Sequence, residues 1–347
     1  MSQAHLVVRR VQQRVVGRQR EIELVVAALA AGRHVVLEGP PGTGKSTLLR
    51  AVADEMQLGF EFVEGNAELT PARLIGHFDP ARVLADGYDP RVFVDGPLVA
   101  AMRDGALLYV EEINRVPEET LNVMITVMSE RELHVPRLGR VAAAAGFRLV
   151  AAMNPFDAVG TARISGAIYD RVCRLSVDYQ SADDELHIVQ SDARSADSLA
   201  DPSPDQVAVG TVDNSDITWL RRVVELVRST RSHPDVRIGS SVRGAIDMAL
   251  VARSLAEIRG VTYVNDVATL TECVSLDAAL ISLSGRVRLR DGATRSSEQI
   301  VTELWKQAFA AAIDPTSDNT RSGDDGGDSG KARPPMGALV DLHASHQ

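Results

Sequence analysis

Residues 34–50 read His34-Val-Val-Leu-Glu-Gly-Pro-Pro-Gly-Thr-Gly-Lys-Ser-Thr-Leu-Leu-Arg50. An apolar run of strand length, His34–Glu38, meets a glycine-rich turn, and helical spacing resumes over Ser46–Met56. The turn satisfies G-x-x-x-x-G-K-[ST] between a strand and a helix, the context that the motif requires. Glycines let backbone N–H groups wrap phosphate oxygens, the helix start adds the positive end of its dipole, and the lysine reaches the terminal phosphates. The following hydroxyl is placed for Mg²⁺. Gly39, Pro40, Pro41, Gly42, Thr43, Gly44, Lys45, Ser46 and Thr47 are therefore the candidate phosphate-binding residues for a nucleoside triphosphate.

Composition sharpens this reading. Of the 37 basic residues only three are lysine, at 45, 306 and 331, so the first 305 residues hold a single lysine. Arginine is a planar fork and lysine a compact point charge on a flexible stem. The position that stays lysine falls on the phosphate motif.

Outward from this stretch, short apolar runs alternate with helical spacing. Leu58–Val63, Ala106–Val110 and Phe147–Met153 read as further strands, and Arg18–Ala31 as a helix with Ile22, Val25, Val26 and Leu29 on one face. Such alternation predicts a parallel sheet covered on both faces. Helices follow at Asp183–Gln190, Ile217–Ser229, Ser241–Ile258, Val267–Ser282 and Ser297–Ala311. The expected fold class is α/β: a P-loop NTPase three-layer αβα core with a parallel sheet, followed by a small, mostly α-helical lid domain. The expected division is a nucleotide-binding core over 1–180, a connector with one helix over 181–215, a helical lid over 216–312 and an acidic, disordered tail over 313–347.

The strand Ala106–Val110 ends in Glu111 and Glu112. Beside a phosphate loop, the first carboxylate is the candidate metal ligand, together with Ser46, and the second the candidate base that polarises the attacking water.

The totals exclude other classes. A formal charge of −10 argues against a DNA-coating role, and 45% hydrophobic residues exclude disorder of the whole chain. Two cysteines, Cys173 and Cys273, make no disulfide framework and no C-x-x-C pair, and both are expected as buried thiols. The histidines form no zinc pattern. No apolar run approaches the roughly eighteen residues of a membrane span, and the first residues lack the apolar core of a secretory signal. A cytoplasmic protein is expected.

Further motifs carry a resemblance. Val15-Val-Gly-Arg18 precedes the phosphate loop, and Glu111-Glu-Ile-Asn-Arg-Val-Pro117, Glu130-Arg-Glu-Leu-His-Val135, Ala151-Ala-Met-Asn-Pro155, Tyr169-Asp-Arg-Val172 and Ser240-Ser-Val-Arg243 follow it in that order. Together they resemble the MoxR family of AAA+ ATPases, from about Val15 to about Ala311. The resemblance implies that Val16 and Gly17 flank the adenine of ATP and that Asn154 orients the attacking water. It also makes Arg171 an arginine finger and Arg243 a lid arginine sensing the γ-phosphate. Val172 stands where an aromatic is usual, Val242 where proline is usual, and Glu111 where aspartate is usual. By the same resemblance the chain assembles as a homo-oligomeric ring, a hexamer, with ATP at each interface. Pro71–Pro97 is similar to the helix-two insert of this clade, which with a hairpin at about 132–149 lines the ring pore or one face.

The implied function is ATP hydrolysis driving the remodelling of a protein client, for cofactor or metal-centre maturation, with a von Willebrand factor A (VWA) domain partner. Two alternatives stay open: a nucleic-acid motor, and a nucleotide-gated scaffold with little turnover. Nucleic acid is disfavoured by the net charge and by a hairpin with one aromatic, Phe147. Residue by residue, bland readings also stand: Asn154 before Pro155 as a strand-ending turn, Arg171 as a surface arginine, and Arg243 as the partner of Asp247 one helical turn on.

Overall fold

A computed structural model describes residues 2–155, 164–197, 214–260 and 274–313, with backbone alone at 194–197, 214–216 and 310–313. Cys273, the tail beyond Ile313, the second half of the connector and the start of the helix expected from Val267 lie outside the described residues.

Five parallel strands form the central sheet: β1 (His34–Glu38), β2 (Phe60–Glu64), β5 (Leu107–Glu111), β8 (Arg148–Met153) and β9 (Val172–Ser176), in the order β2-β5-β8-β1-β9. Between them run two short hairpins, β3 (Gly76–Phe78) with β4 (Phe93–Asp95) and β6 (Glu132–Val135) with β7 (Gly139–Ala142). The expected strands are all present, displaced by one or two residues at most ends, as their shared apolar runs dictate. The fifth, β9, carries exposed Cys173 and Arg174 at the sheet's edge, so it lacks the continuous apolar run that identifies a strand. The expectation of a buried Cys173 is thereby corrected.

Alternation along the strands makes the three layers. Val36, Leu108, Val110, Leu149 and Ala151 point into one core with α6 (Pro97–Asp104) and α7 (Glu118–Glu130). Val35, Leu37, Leu107, Tyr109, Val150 and Ala152 point into the other, with α1 (Gln3–Arg14), α2 (Gln19–Ala30) and α3 (Lys45–Glu55). A strand buried on both faces must be apolar where it is covered, and β5 is so over Leu107–Val110 and β8 over Leu149–Met153. Residues 71–97 hold α4 (Pro71–Ile75), β3, α5 (Pro80–Asp86) and β4; the hairpin β6–β7 ends at Ala142, earlier than the expected 149.

After α8 (Gly166–Tyr169) and β9, the chain enters a helical region with its own core. α9 (Ala182–Asp197), α10 (Asn214–Ser232) and α11 (Val242–Ile258) pack with the helices Leu276–Leu283 and Ser297–Ile313 around Trp219, Val223, Met248, Leu283 and Phe309. A two-stranded ribbon, β10 (Val236–Ile238) with β11 (Arg288–Leu289), links two of its turns. Inside this region Glu185, 1% exposed, accepts hydrogen bonds from Arg231 at 2.7 Å and Arg228 at 3.2 Å.

Candidate functional site

The phosphate loop leaves the carboxyl end of β1, between β8 and β9, where the sheet's strand order turns back on itself. Crevices at such reversals are the ligand sites of open α/β sheets. Gly42 (φ +71°) and Gly44 (φ +78°) adopt left-handed backbone that only glycine takes without strain, and they bend the loop so that α3 starts at Lys45. No side chain caps that helix start, which leaves its first N–H groups for an anion.

Lys45 is buried against its own loop. Its Nζ donates to the Gly39 carbonyl at 2.9 Å and to the Pro40 carbonyl at 2.8 Å, with Thr43 Oγ1 at 3.5 Å. Burial pushes its ammonium down to about 8, against the favourable charges of Glu112 and Glu111, while Arg18 and Arg243 push the same way as burial. The loop lysine, both strand-end carboxylates and Arg243 are thus electrostatic neighbours.

The two candidate metal ligands meet. Ser46 Oγ donates to Glu111 Oε1 at 3.0 Å and lies 3.0 Å from the hydroxyl of Tyr109. With the serine proton given to the carboxylate, Tyr109 donates to Ser46 Oγ. Burial raises the Tyr109 phenol well above its free value, so it keeps its proton. A serine hydroxyl beside one carboxylate is a hard oxygen set of the kind Mg²⁺ takes, with water and phosphate completing the shell. The residues fit that ion. Among the described residues no group of three His, Cys, Asp or Glu side chains gathers elsewhere as a metal cluster.

Glu112 sits in left-handed backbone at φ +51°, between the end of β5 and a short 3-10 turn, Ile113–Arg115. For a non-glycine residue this conformation costs about 1–3 kcal/mol and persists only where surroundings impose it. Its carboxylate lies 3.6 Å from Arg115 Nε. Asn154, at the end of β8, is buried, and its carbonyl is approached at 3.5 Å by Asn114 Nδ2 of the turn after Glu112. β5 and β8 are adjacent in the sheet, so their ends deliver these residues side by side.

On the other side of the loop, Val16 and Gly17 are held against the start of α9. Gln180 Nε2 donates to the Val16 carbonyl at 2.9 Å, and a side chain on Gly17 would meet the Asp184 carboxylate. Arg243 opens α11 close by: a methyl on Gly42 would fall 2.2 Å from Ser241 Oγ and 3.8 Å from Arg243 Cδ. The alternative pairing of Arg243 with Asp247 does not form; Asp247 is bound by Arg286 instead. Arg171 is not among the charged groups that act on Lys45. Its Nε donates to Ser129 Oγ at 2.5 Å and its guanidinium to the Ala167 carbonyl at 2.7 Å, with one third of the side chain exposed.

Three residues of the site escaped the sequence reading. Arg18 carries no role in the sequence motif that it ends. It is 4% exposed and donates to the Thr43 carbonyl at 2.9 Å and the Asp178 carbonyl at 2.6 Å, bracing the loop. Tyr109 looked like one more apolar strand residue. Glu38 is read from the sequence only as the last residue of a strand, with no role. It is 3% exposed and accepts from Tyr169 Oη at 2.7 Å and Arg174 Nε at 2.7 Å. A charged residue closing an otherwise apolar strand was the signal available for it.

Residues 34–172 match the family model described as AAA domain, dynein-related subfamily. A protein of Staphylococcus epidermidis, described only as uncharacterized, is 34% identical over 167 residues, 48% of this chain and 63% of its own length. The chain thus spans less than two thirds of that relative. The uncharacterized Bacillus subtilis protein YeaC is 27% identical over 266 residues, 72% of this chain and 78% of its own. Among solved structures, a variant of RuvB from Thermotoga maritima aligns with a TM-score of 0.53 at 14% identity, covering 79% of this chain and 74% of its own. That likeness concerns the fold: a parallel sheet with helices and a helical region after it. No helix of the described residues is long and apolar enough to cross a membrane. The segment from His34 to Val172, with its phosphate loop and acidic strand end on one parallel sheet, is similar to the AAA domain of the dynein-related subfamily.

Proposed function

We propose that this chain binds ATP with Mg²⁺ and hydrolyses it, as a subunit of a homo-oligomeric ring, most simply a hexamer, of MoxR type. One observation carries the reading: Lys45, Ser46, Glu111 and Glu112 converge beyond the carboxyl ends of β1 and β5, the two strands that flank β8, with Glu112 held in costly backbone. In this reading Gly39–Thr47 and the start of α3 bind the phosphates, and Lys45 leaves its own loop's carbonyls for the terminal phosphates. Ser46 and Glu111 hold Mg²⁺, which neutralises charge on the β- and γ-phosphates. Glu112 takes the proton of a water that Asn154 orients. Arg243 senses the γ-phosphate from the lid of the same subunit, and Val16 and Gly17 flank the adenine.

Arg171 serves a neighbouring subunit. It lies apart from its own loop, on an exposed turn, where an arginine can complete a second protomer's site and stabilise transition-state charge. Hydrolysis would then alter the angle between lid and core, a hinge event. The work is the remodelling of a protein client in cofactor or metal-centre maturation, with a VWA-domain protein as partner. Protein rather than nucleic acid fits the hairpin β6–β7: its Arg140 is paired with Glu132, and Arg137 stacks on Tyr88 of the insert at 3.8 Å. These arginines are engaged within the chain, not presented as a phosphate-binding stripe.

Phosphate release from the full chain, wild type against Glu112→Gln, tests the proposal. Turnover that falls at least about a hundredfold in the variant, with nucleotide still bound, supports it. Equal, near-zero rates in both favour the low-turnover scaffold. Capture of a protein on the Glu112→Gln ring, dependent on ATP, identifies the client; tight, salt-sensitive DNA binding would favour the motor.

A further inference from the structure

We infer that Glu38, at the root of the phosphate loop, is a positioning residue for the next subunit's reaction: it holds Tyr169 and with it the turn that carries Arg171. The inference rests on the assignment of Arg171 as a finger acting in trans.

The chain of contacts is short. Glu38 directly precedes Gly39, so any displacement of the loop's first residue moves it. Its side chain is buried, and its two oxygens are divided between two partners: Oε1 takes the Tyr169 hydroxyl and Oε2 takes Arg174. Burial pushes the carboxyl up, but the hydrogen bonds from Arg174 and Tyr169 outweigh it and keep it charged. Its backbone carbonyl accepts the Val177 N–H at 2.7 Å, so main chain and side chain both bind the β9 side of the sheet.

The receiving element is equally short. α8 has four residues, too few to be stable alone, and two points hold it: Ile168, 1% exposed in the core, and Tyr169 on Glu38. Arg171 follows two residues later, tied back to α8 by its own backbone N–H on the Ile168 carbonyl and its guanidinium on the Ala167 carbonyl. A guanidinium mounted on a one-turn helix goes where the helix goes. The Glu38–Tyr169 bond is thus a strut between the loop that holds one nucleotide and the arginine that completes the next site. Ser129 Oγ holds the Arg171 Nε from the end of α7, a resting contact that the finger must leave to reach a neighbour.

The test uses full-length protein and steady-state ATP turnover. Tyr169→Phe removes only the hydroxyl. It is expected to lower kcat about tenfold to a hundredfold, the loss typical of a reacting group left slightly out of place, with KM changed less than about twofold. Mixing supplies the readout that a merely structural role would not move. Lys45→Ala subunits are inactive but carry an intact strut and finger. Mixed with Tyr169→Phe subunits, they should restore turnover above the sum of the two separate preparations. Arg174→Gln, at a mostly exposed partner of Glu38, should give a smaller kcat loss with the same recovery on mixing. Full turnover by Tyr169→Phe, a loss confined to KM, or no recovery on mixing overturns the inference. If wild type hydrolyses no ATP, or Arg171→Ala retains the wild-type rate, the proposed function falls and takes the strut with it. If Arg171→Ala is inactive while Tyr169→Phe is unaffected, the strut alone falls.

Discussion

Lowering the pH should loosen the central sheet through one histidine. His34 begins β1, and its Nδ1 accepts the backbone N–H of Leu149 on β8 at 2.8 Å, with its ring edge-on to Phe147. Burial, then the nearby guanidinium groups of Arg148, Arg131 and Arg33, push its pKa down to about 4 from 6.5. The folded state therefore favours the neutral ring. Above pH 6.5 both states are neutral and the stability is complete. Between pH 6.5 and about 4 the unfolded chain takes up the proton and the folded one does not, so stability falls with pH. The full shift corresponds to about 3 kcal/mol, of which about 2 kcal/mol is gone by pH 5. His34→Asn keeps an acceptor for the Leu149 N–H and removes the titration. Urea unfolding of wild type and variant at pH 8 and pH 5 isolates the effect from every other titrating group. The wild-type stability minus that of the variant should drop by about 2 kcal/mol on going to pH 5. Parallel curves, with that difference unchanged, would refute the assignment of a neutral, accepting imidazole.

Other perturbations have directions that follow from the geometry. Glu185→Ala leaves Arg231 buried without its counter-charge and should cost about 3–5 kcal/mol in urea unfolding; a loss under about 1 kcal/mol contradicts a tightly held triad. Gly42→Ala forces left-handed strain of about 1–2 kcal/mol and presses on Ser241, so Mg-ATP affinity should fall about tenfold or more by equilibrium dialysis. Ser241→Gly in the same chain should recover part of that loss and, if it recovers none, the lid does not rest on the loop. Ser46→Ala should raise the Mg²⁺ concentration for half-maximal turnover by about tenfold, and Tyr109→Phe should raise it by less; unchanged Mg²⁺ dependence in Ser46→Ala would remove that hydroxyl from the metal site.

Much of the fold was legible because its strands are buried on both faces and its helices on one. β1, β5 and β8 announce themselves as apolar runs, and the helices of the last region by their spacing. β9 did not, since an edge strand needs one inward residue in two and here alternates Cys173, Arg174 and Leu175. The phosphate loop was legible for a different reason: its chemistry needs fixed residue types at fixed spacing. Residues acting through side-chain contact across the sheet were not. Glu38 meets Tyr169 over 131 residues of sequence, Arg18 meets the Asp178 carbonyl over 160, and Asp247 goes to Arg286 and not to Arg243. The first two depend on which strand lies beside which and the third on which helices pack together, and neither is written in any local pattern.

Binding of Mg-ATP to the full chain, compared between wild type and Lys45→Ala by equilibrium dialysis, bears most directly on the account. Saturable uptake by wild type, weakened at least about a hundredfold by the substitution, is the predicted result. No uptake by wild type, or equal uptake by both, would contradict it.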